Sequence, residues 1–162
     1  MSNYIYPAPG NDNAEVVLRV VKTGGNLANI STTITVPSLQ DITVNAANDV
    51  FTWTQLDVSS KKQIATTATN SLSMNLVVDP DSFFGAAGKT ANSAAAIGIF
   101  GLSTEKSKID FDLYLGDLDN GNAGKTISGS GYVTGLAPTV SADSPVWVTP
   151  ITITVDGDYT VA

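Results

Sequence analysis

The chain has 162 residues, contains neither Cys nor His, and carries 15 acidic against 8 basic side chains, for a net charge of −7. The two missing residue types exclude a thiol nucleophile, a cysteine-based zinc or iron–sulfur site and a histidine general base. Charged residues make up only 14% of the sequence, and binding to nucleic acid phosphates is disfavoured because it needs clustered Lys and Arg. The length favours one domain over residues 1–162.

The N-terminal segment, residues 1–13, is rich in Pro, Gly and Asn, which predicts an extended arm. It lacks a basic start followed by an apolar core, so we expect no secretory signal peptide. No apolar run approaches the ~20 residues of a membrane-spanning helix. We therefore expect synthesis in the cytoplasm and no membrane partner.

Two β-branched segments follow the arm. Residues 14–22 predict a buried strand, and residues 29–36 alternate apolar and polar side chains as a half-buried strand does. Gly and Asn at 23–26 tolerate a positive φ and predict a turn. The two segments are therefore expected to pair as a hairpin.

The next part of the chain predicts three more strands. Residues 39–44 form a short one, residues 50–58 alternate around Phe51 and Trp53, and residues 64–78 form a long one laced with Thr and Ser. The polar residues 45–49 predict a loop tip between the first two.

One helix is predicted, over residues 91–102 (ANSAAAIGIFGL). Thr90 or Asn92 is the expected N-cap, since both side chains accept hydrogen bonds from backbone N–H groups. Gly98 weakens the helix by about 1 kcal/mol relative to Ala.

Three strands complete the chain, over residues 108–116, 126–136 and 146–155. In the first of them, Asp110 and Asp112 alternate with core residues and face away from the core. The glycines of Ser128–Gly131 predict a bulge or a close backbone approach. The fold class is all-β, an antiparallel sandwich or barrel with one flanking α-helix.

The recognisable binding motifs are incomplete. Gly-Lys-Thr occurs at 88–90 and 124–126, but the Gly that a phosphate loop needs five positions earlier is replaced by Phe83 and Asp119. Residues 117–122 resemble a Ca²⁺ turn, yet the twelfth position is a Ser where an EF-hand has Glu. We expect no cofactor and no metal.

Acidic and aromatic residues leave several interpretations open. Three interpretations of Asp110 and Asp112 are open: the paired carboxylates of a glycosidase, the solvent-exposed face of a strand, or the lining of a channel. Trp53 and Trp147 form a sugar platform, or pack in the core or at a subunit interface. The absence of other catalytic side chains favours a non-enzymatic protein.

The C-terminal run Lys125–Val161 contains a Gly-punctuated strand with Tyr-Val-Thr, an acidic turn at Asp143, and an alternating Ile/Thr strand that closes on Gly157. Residues 50–79 contain a Trp-containing loop, followed by a long strand that ends near an Asp. Together they resemble the major tail tube proteins of long-tailed phages, the siphophages and myophages.

This resemblance implies a structural virion protein that is not an enzyme. Its subunits would form hexameric rings that stack into a tube, through which DNA passes during ejection without specific binding. The implied partners are further copies of the chain, a tape measure protein and tail-end proteins, and the implied location is the virion tail. The alternative is a capsid decoration protein or another self-assembling coat or fimbrial β-protein.

The resemblance also suggests roles for particular segments. An arm at residues 3–13 would order on assembly, and Asp110 and Asp112 would face the lumen. A loop would stack one ring on the next, with contacts from Asp49, Phe51, Trp53, Lys61 and Lys62.

Overall fold

The computed structural model describes residues 5–6, 16–36, 39–118 and 122–162. The predicted arm lies outside these residues, apart from Ile5 and Tyr6. The elements of the described chain are β1 (Ile5–Tyr6), β2 (Val17–Lys22), β3 (Ile34–Thr35), β4 (Leu39–Gln55), β5 (Val58–Val77), α1 (Pro80–Phe84), α2 (Ala94–Glu105), β6 (Ile109–Tyr114), β7 (Asp117–Leu118), β8 (Thr126–Leu136), β9 (Thr139–Ser141), β10 (Ser144–Val155) and β11 (Thr160–Val161).

One large antiparallel sheet dominates the molecule, in the order β3-β2-β6-β8-β10-β5-β4. The long strand β8 joins its two halves, because residues 126–131 pair with β6 and residues 131–136 pair with β10. Strand β11 also pairs with β8, β9 pairs with β10, and β1 pairs with β7 in a separate two-stranded sheet. The predicted all-β fold class with a flanking helical segment is confirmed.

The core is built from alternate residues of the central strands together with α1 and α2. Burying each large apolar side chain stabilises the fold by about 1.5–3 kcal/mol. The largest fully buried apolar side chains are Phe83, Phe111, Leu18, Leu72, Leu76, Leu102, Ile109, Leu113, Ile151, Ile153 and Val21.

Two predicted loop and strand boundaries are wrong. Residues 45–49 belong to β4, which runs on from Leu39 to Gln55 and pairs with β5. Of the predicted strand 29–36, Ile34 and Thr35 pair with β2, and the Val36 N–H donates to the Leu18 carbonyl oxygen at 2.9 Å. The residues before them form turns, since Asn26 and Asn29 accept hydrogen bonds from backbone N–H groups two residues later.

The predicted helix is found in the right place, but its cap and continuity differ. Its N-cap is Ser93, whose Oγ accepts a hydrogen bond from the Ala96 N–H at 3.3 Å. Gly98 has a non-helical φ of 71° and interrupts α2. The position requires Gly, because a Cβ there would lie 2.4 Å from the Phe83 carbonyl oxygen. In the described ranges, no helix has both the length and the apolar character needed to span a bilayer.

The predicted close backbone approach in β8 is confirmed at Gly131. A Cβ at this residue would lie 2.1 Å from the Thr154 carbonyl oxygen of β10. Gly131 pairs with both Ile109 of β6 and Val155 of β10, so the glycine stands where the two halves of the sheet meet.

Candidate functional site: the projecting hairpin and the sheet edges

Strands β4 and β5 continue beyond the rest of the sheet as a two-stranded hairpin. Strand β5 pairs with β10 only as far as Asn70, and before that residue it pairs with β4 alone. We call residues 45–69 the projecting hairpin. All of them are exposed except the half-buried Val58, and at ~3.3 Å per residue the hairpin extends roughly 35–40 Å.

The projecting hairpin carries an apolar face. The rings of Phe51 and Trp53 stack with centroids 5.8 Å apart, and Ile64 lies directly opposite Phe51 in the ladder. Phe51 is 58% exposed and Ile64 is 56% exposed. Because two strands alone are marginally stable in water and exposed apolar patches mark interaction sites, this face is suited to contact another protein surface.

Hydrogen bonds from the C-terminal segment fix the base of the hairpin. The Tyr159 hydroxyl lies 2.7 Å from the Asn45 carbonyl oxygen and 2.9 Å from that of Ser71, one residue in each strand. Asn70 Nδ2 donates to the Gly157 carbonyl oxygen at 2.7 Å. Partial burial raises the pKa of Tyr159, so its hydroxyl stays protonated as a donor.

Asp49 occupies a β-bulge within the hairpin. The register changes between Asn48 and Val50, so that Asp49 faces both Thr66 and Thr67. Thr67 Oγ1 donates to Asp49 Oδ2 at 2.9 Å, and Thr66 Oγ1 donates to the Asp49 carbonyl oxygen at 3.2 Å. A bulge increases the local twist, so Asp49 helps to set the direction in which the tip points.

Lys61 and Lys62 lie near the tip of the hairpin and are exposed. The ion pairs of the described residues all lie in the body of the molecule, and neither lysine takes part in one. The predicted inter-ring residues therefore share one element, although that element is a hairpin where the sequence predicts a loop.

Asp110 and Asp112 lie together on one face of β6, with their carboxylates engaged. Asp112 is 8% exposed and binds the Arg19 guanidinium, with Nε 3.0 Å from Oδ1. Asp110 accepts hydrogen bonds from the Ser130 hydroxyl at 2.6 Å and from the Gly24 N–H at 3.3 Å. Their role in a lumen stays a prediction.

The sheet presents two edges without strand partners. Among the described strands, β4 pairs only with β5, and residues 132–136 of β8 pair only with β10. Unpaired edges of this length invite pairing with another chain. They bound a four-stranded unit, β4-β5-β10-β8.

The outward face of that unit is polar and almost uncharged, and the sequence patterns alone predict no function for it. The alternating polar residues Ser71, Ser73 and Asn75 in β5, and Thr152 and Thr154 in β10, are the signal of this face in the sequence. We call the register rows across β4, β5 and β10 the polar rows. They are Asp41–Asn75–Pro150, Thr43–Ser73–Thr152 and Asn45–Ser71–Thr154.

No protein-family model and no curated protein matches the chain. A chain from the tail of an empty gene transfer agent particle with C6 symmetry superposes with a TM-score of 0.58 and 11% identity, over 88% of this chain and 94% of that one. A chain from the 6-fold symmetrised baseplate of the anti-feeding prophage gives 0.60 and 9%, over 97% of both chains.

A third match comes from the sheath–tube complex of the extracellular contractile injection system PVC in its extended state. Its TM-score is 0.56 and its identity 18%, over 97% of this chain and 92% of that chain. These matches cover nearly the whole of each chain. The chain therefore has the fold found in phage-like tails and contractile injection systems, and the tail-tube-like fold expected from the resemblance is confirmed.

Proposed function

We propose that the chain is a structural subunit of a phage-like tail tube, assembled as stacked rings around a channel that passes DNA. The projecting hairpin carries this proposal. It is an exposed two-stranded element with one apolar face, on a body whose fold matches chains of tail particles over nearly its full length. Such an element is stabilised by contact with another subunit.

The free edges suggest how a ring closes. If β4 of one copy adds to residues 132–136 of β8 in the next copy, the four-stranded unit continues from subunit to subunit. Repeating one head-to-tail contact around a closed rotation forms a ring and leaves no free edge. The six-fold symmetry of two matched particles supports six copies.

A ring closed in this way turns one face of the four-stranded unit toward its centre. We favour the polar rows as the channel wall, because they lie on the strands that ring closure joins. Seven of their nine residues have hydroxyl or amide side chains; the other two are Pro150 and one ionisable residue, Asp41, and none is a cation. Without fixed cations, a wall does not retain DNA phosphates.

The predicted acidic wall at Asp110 and Asp112 is the competing assignment within the same function. Those residues lie on β6, outside the four-stranded unit. In either case the tape measure protein and tail-end proteins are the expected partners, and the virion tail is the expected location.

Electron microscopy of the purified protein tests the proposal. Negative staining should show six-fold rings and tubes with a central hole, and the variant Phe51→Ser with Trp53→Ser should abolish tubes. Gln63→Ala, also on the hairpin, is the matched control and should form tubes normally. Compact monomers at high concentration would contradict the proposal, and capsid-bound trimers that never polymerise would favour a decoration protein.

A further inference from the structure

The connection between β10 and the C-terminal strand β11 contains an Asp-Gly dipeptide, Asp156–Gly157. In such a dipeptide the Gly amide nitrogen can attack the Asp carboxyl carbon Cγ, because Gly has no Cβ that obstructs the approach. The attack forms the N–Cγ bond of a five-membered succinimide and releases water. When water then opens the ring at the main-chain carbonyl carbon, the product is isoaspartate, in which the chain continues through the side-chain carboxyl group.

The structure leaves both reacting groups accessible. The side chain of Asp156 is 61% exposed. Gly157 has φ 96°, and the position of a Cβ on this residue has no atom within 4 Å. Within the described part of the chain, the Gly157 N–H donates to no backbone carbonyl oxygen. Both the open space and the free amide favour attack on the neighbouring carboxyl group.

A second exposed dipeptide, Asp81–Ser82, shows the opposite arrangement. Asp81 is exposed and is also followed by a small residue, but the Ser82 N–H donates to Asp79 Oδ2 at 3.0 Å. An amide that is engaged in this way has to give up its hydrogen bond before it can attack. The comparison therefore singles out Asp156 by its structure and not by its exposure alone.

The Lys108 ammonium group opposes the reaction at Asp156. Its Nζ lies 2.8 Å from Asp156 Oδ2, and this hydrogen bond lowers the pKa of Asp156. Hydrogen bonding to Asp156 also raises the pKa of Lys108, and the charges of Tyr132 and Asp110 act in the same direction, so the lysine stays cationic. Attack on an ionised carboxylate is unfavourable, since only the neutral carboxylic acid can release its oxygen as water.

We propose that Asp156–Gly157 is a site of spontaneous isoaspartate formation and that Lys108 holds the reaction back. The product chain is one methylene group longer, and the extra length falls between two anchored groups. The Asp156 N–H donates to the Ser130 carbonyl oxygen at 2.7 Å, and the Gly157 carbonyl oxygen accepts from Asn70 Nδ2 at 2.7 Å. The reaction therefore alters the segment that fixes the base of the projecting hairpin, whatever the protein assembles into.

Peptide mapping of purified protein after prolonged incubation tests the site. The endoproteinase Asp-N cleaves before Asp but not before isoaspartate, and an isoaspartyl methyltransferase labels the product. Isoaspartate should accumulate at Asp156 faster at about pH 5 than at about pH 8, because more of the carboxyl group is neutral at the lower pH. It should not accumulate at Asp81, and isoaspartate at Asp81 without any at Asp156 would overturn the proposal.

Substitution of the lysine tests its protective role. Lys108→Met should raise the rate of isoaspartate formation at Asp156 several-fold, whereas Lys108→Arg keeps a cation and should react at nearly the wild-type rate. Lys22→Met is the matched control, since it removes another exposed ion pair, with Glu105 at 2.9 Å, and leaves Asp156 untouched. Equal rates in Lys108→Met and Lys22→Met would refute the protection, and absence of isoaspartate at Asp156 from all four proteins would refute the site itself.

Discussion

The contact between Arg19 and Asp112 could not be predicted from the local sequence pattern around either residue. The alternation of β6 predicts that Asp112 faces away from the core, and the structure places it there beside a guanidinium 93 residues away in sequence. No spacing rule links two such positions, since only the pairing of β2 with β6 brings them together. The face of the strand was predictable, whereas the burial of Asp112 and its partner were not.

Replacing Asp112 with Asn should lower the free energy of unfolding by about 1–2 kcal/mol, because Arg19 loses its charge-assisted hydrogen bonds. Urea denaturation monitored by circular dichroism measures the change. Combining the substitution with Arg19→Met should recover part of the loss, since no unpaired cation then remains. Equal losses in Asp112→Asn and in the exposed control Asp57→Asn would contradict this role.

The exposed pair of Lys108 and Asp156 predicts a pH dependence. A hydrogen bond from Lys108 at 2.8 Å lowers the pKa of Asp156, so the folded state holds the proton less tightly than the unfolded state. The stabilisation is therefore complete above the ordinary carboxyl pKa of about 3.9 and is lost as the pH falls through the lower folded pKa. The stability difference between the wild type and Asp156→Asn should shrink between pH 5 and pH 2, roughly the range given by that linkage.

The same pair also makes the stability depend on pH at high pH. Its hydrogen bond raises the pKa of Lys108, so this contribution is present below the unfolded Lys pKa of about 10.4 and is lost as the pH rises through the folded value. Urea midpoints across both limits check the sign. A stability difference independent of pH would contradict the pairing.

At the scale of elements, hydrogen bonds from Tyr159 hold the base of the projecting hairpin to the body of the molecule. Tyr159→Phe removes the hydroxyl that lies between the Asn45 and Ser71 carbonyl oxygens. We expect a loss of about 1 kcal/mol, with faster amide hydrogen exchange concentrated at residues 45–47 and 69–71. Tyr132→Phe, whose hydroxyl makes no hydrogen bond within the described residues, is the control, and equal exchange in both variants would refute the role of Tyr159.

The break in α2 gives a second prediction at this scale. Gly98→Ala should cost about 2–4 kcal/mol, since the side chain meets both a positive φ and the Phe83 carbonyl oxygen. Gly88 also has a positive φ, of 77°, but has open space around it. Gly88→Ala should therefore cost only the backbone strain of about 1–2 kcal/mol, and thermal unfolding of both variants separates the two causes.

The elements that the sequence predicts best are those with a buried face. Strand β8 has the bounds expected from its pattern, Thr126–Leu136, because its alternation reflects a core on one side. The projecting hairpin has no buried face in the subunit, so residues 45–49 carry no alternation and the predicted loop is wrong. Its regular structure comes from cross-strand pairing, which composition alone does not reveal.

At the scale of the whole molecule, the fold class was predictable and the projecting hairpin was not. Alternating strands and one helical segment are enough to indicate an all-β domain. By contrast, the projecting hairpin exists because β4 and β5 continue past Asn70, the residue at which the pairing of β5 with β10 ends. The extent of this pairing depends on the order of the strands in the sheet, which the pattern of a single strand does not predict.

The two candidate channel walls make opposite predictions for particles that assemble normally. If the polar rows line the channel, Thr152→Lys adds a ring of cations facing the DNA, which should slow ejection in a salt-dependent way. Asp110→Lys should then leave ejection unchanged, because β6 lies outside the four-stranded unit. If the acidic face lines the channel, Asp110→Lys slows ejection and Thr152→Lys does not. Fluorescence of a DNA-binding dye during triggered ejection measures both, after electron microscopy has verified tube length, and normal ejection from both variants would refute both assignments.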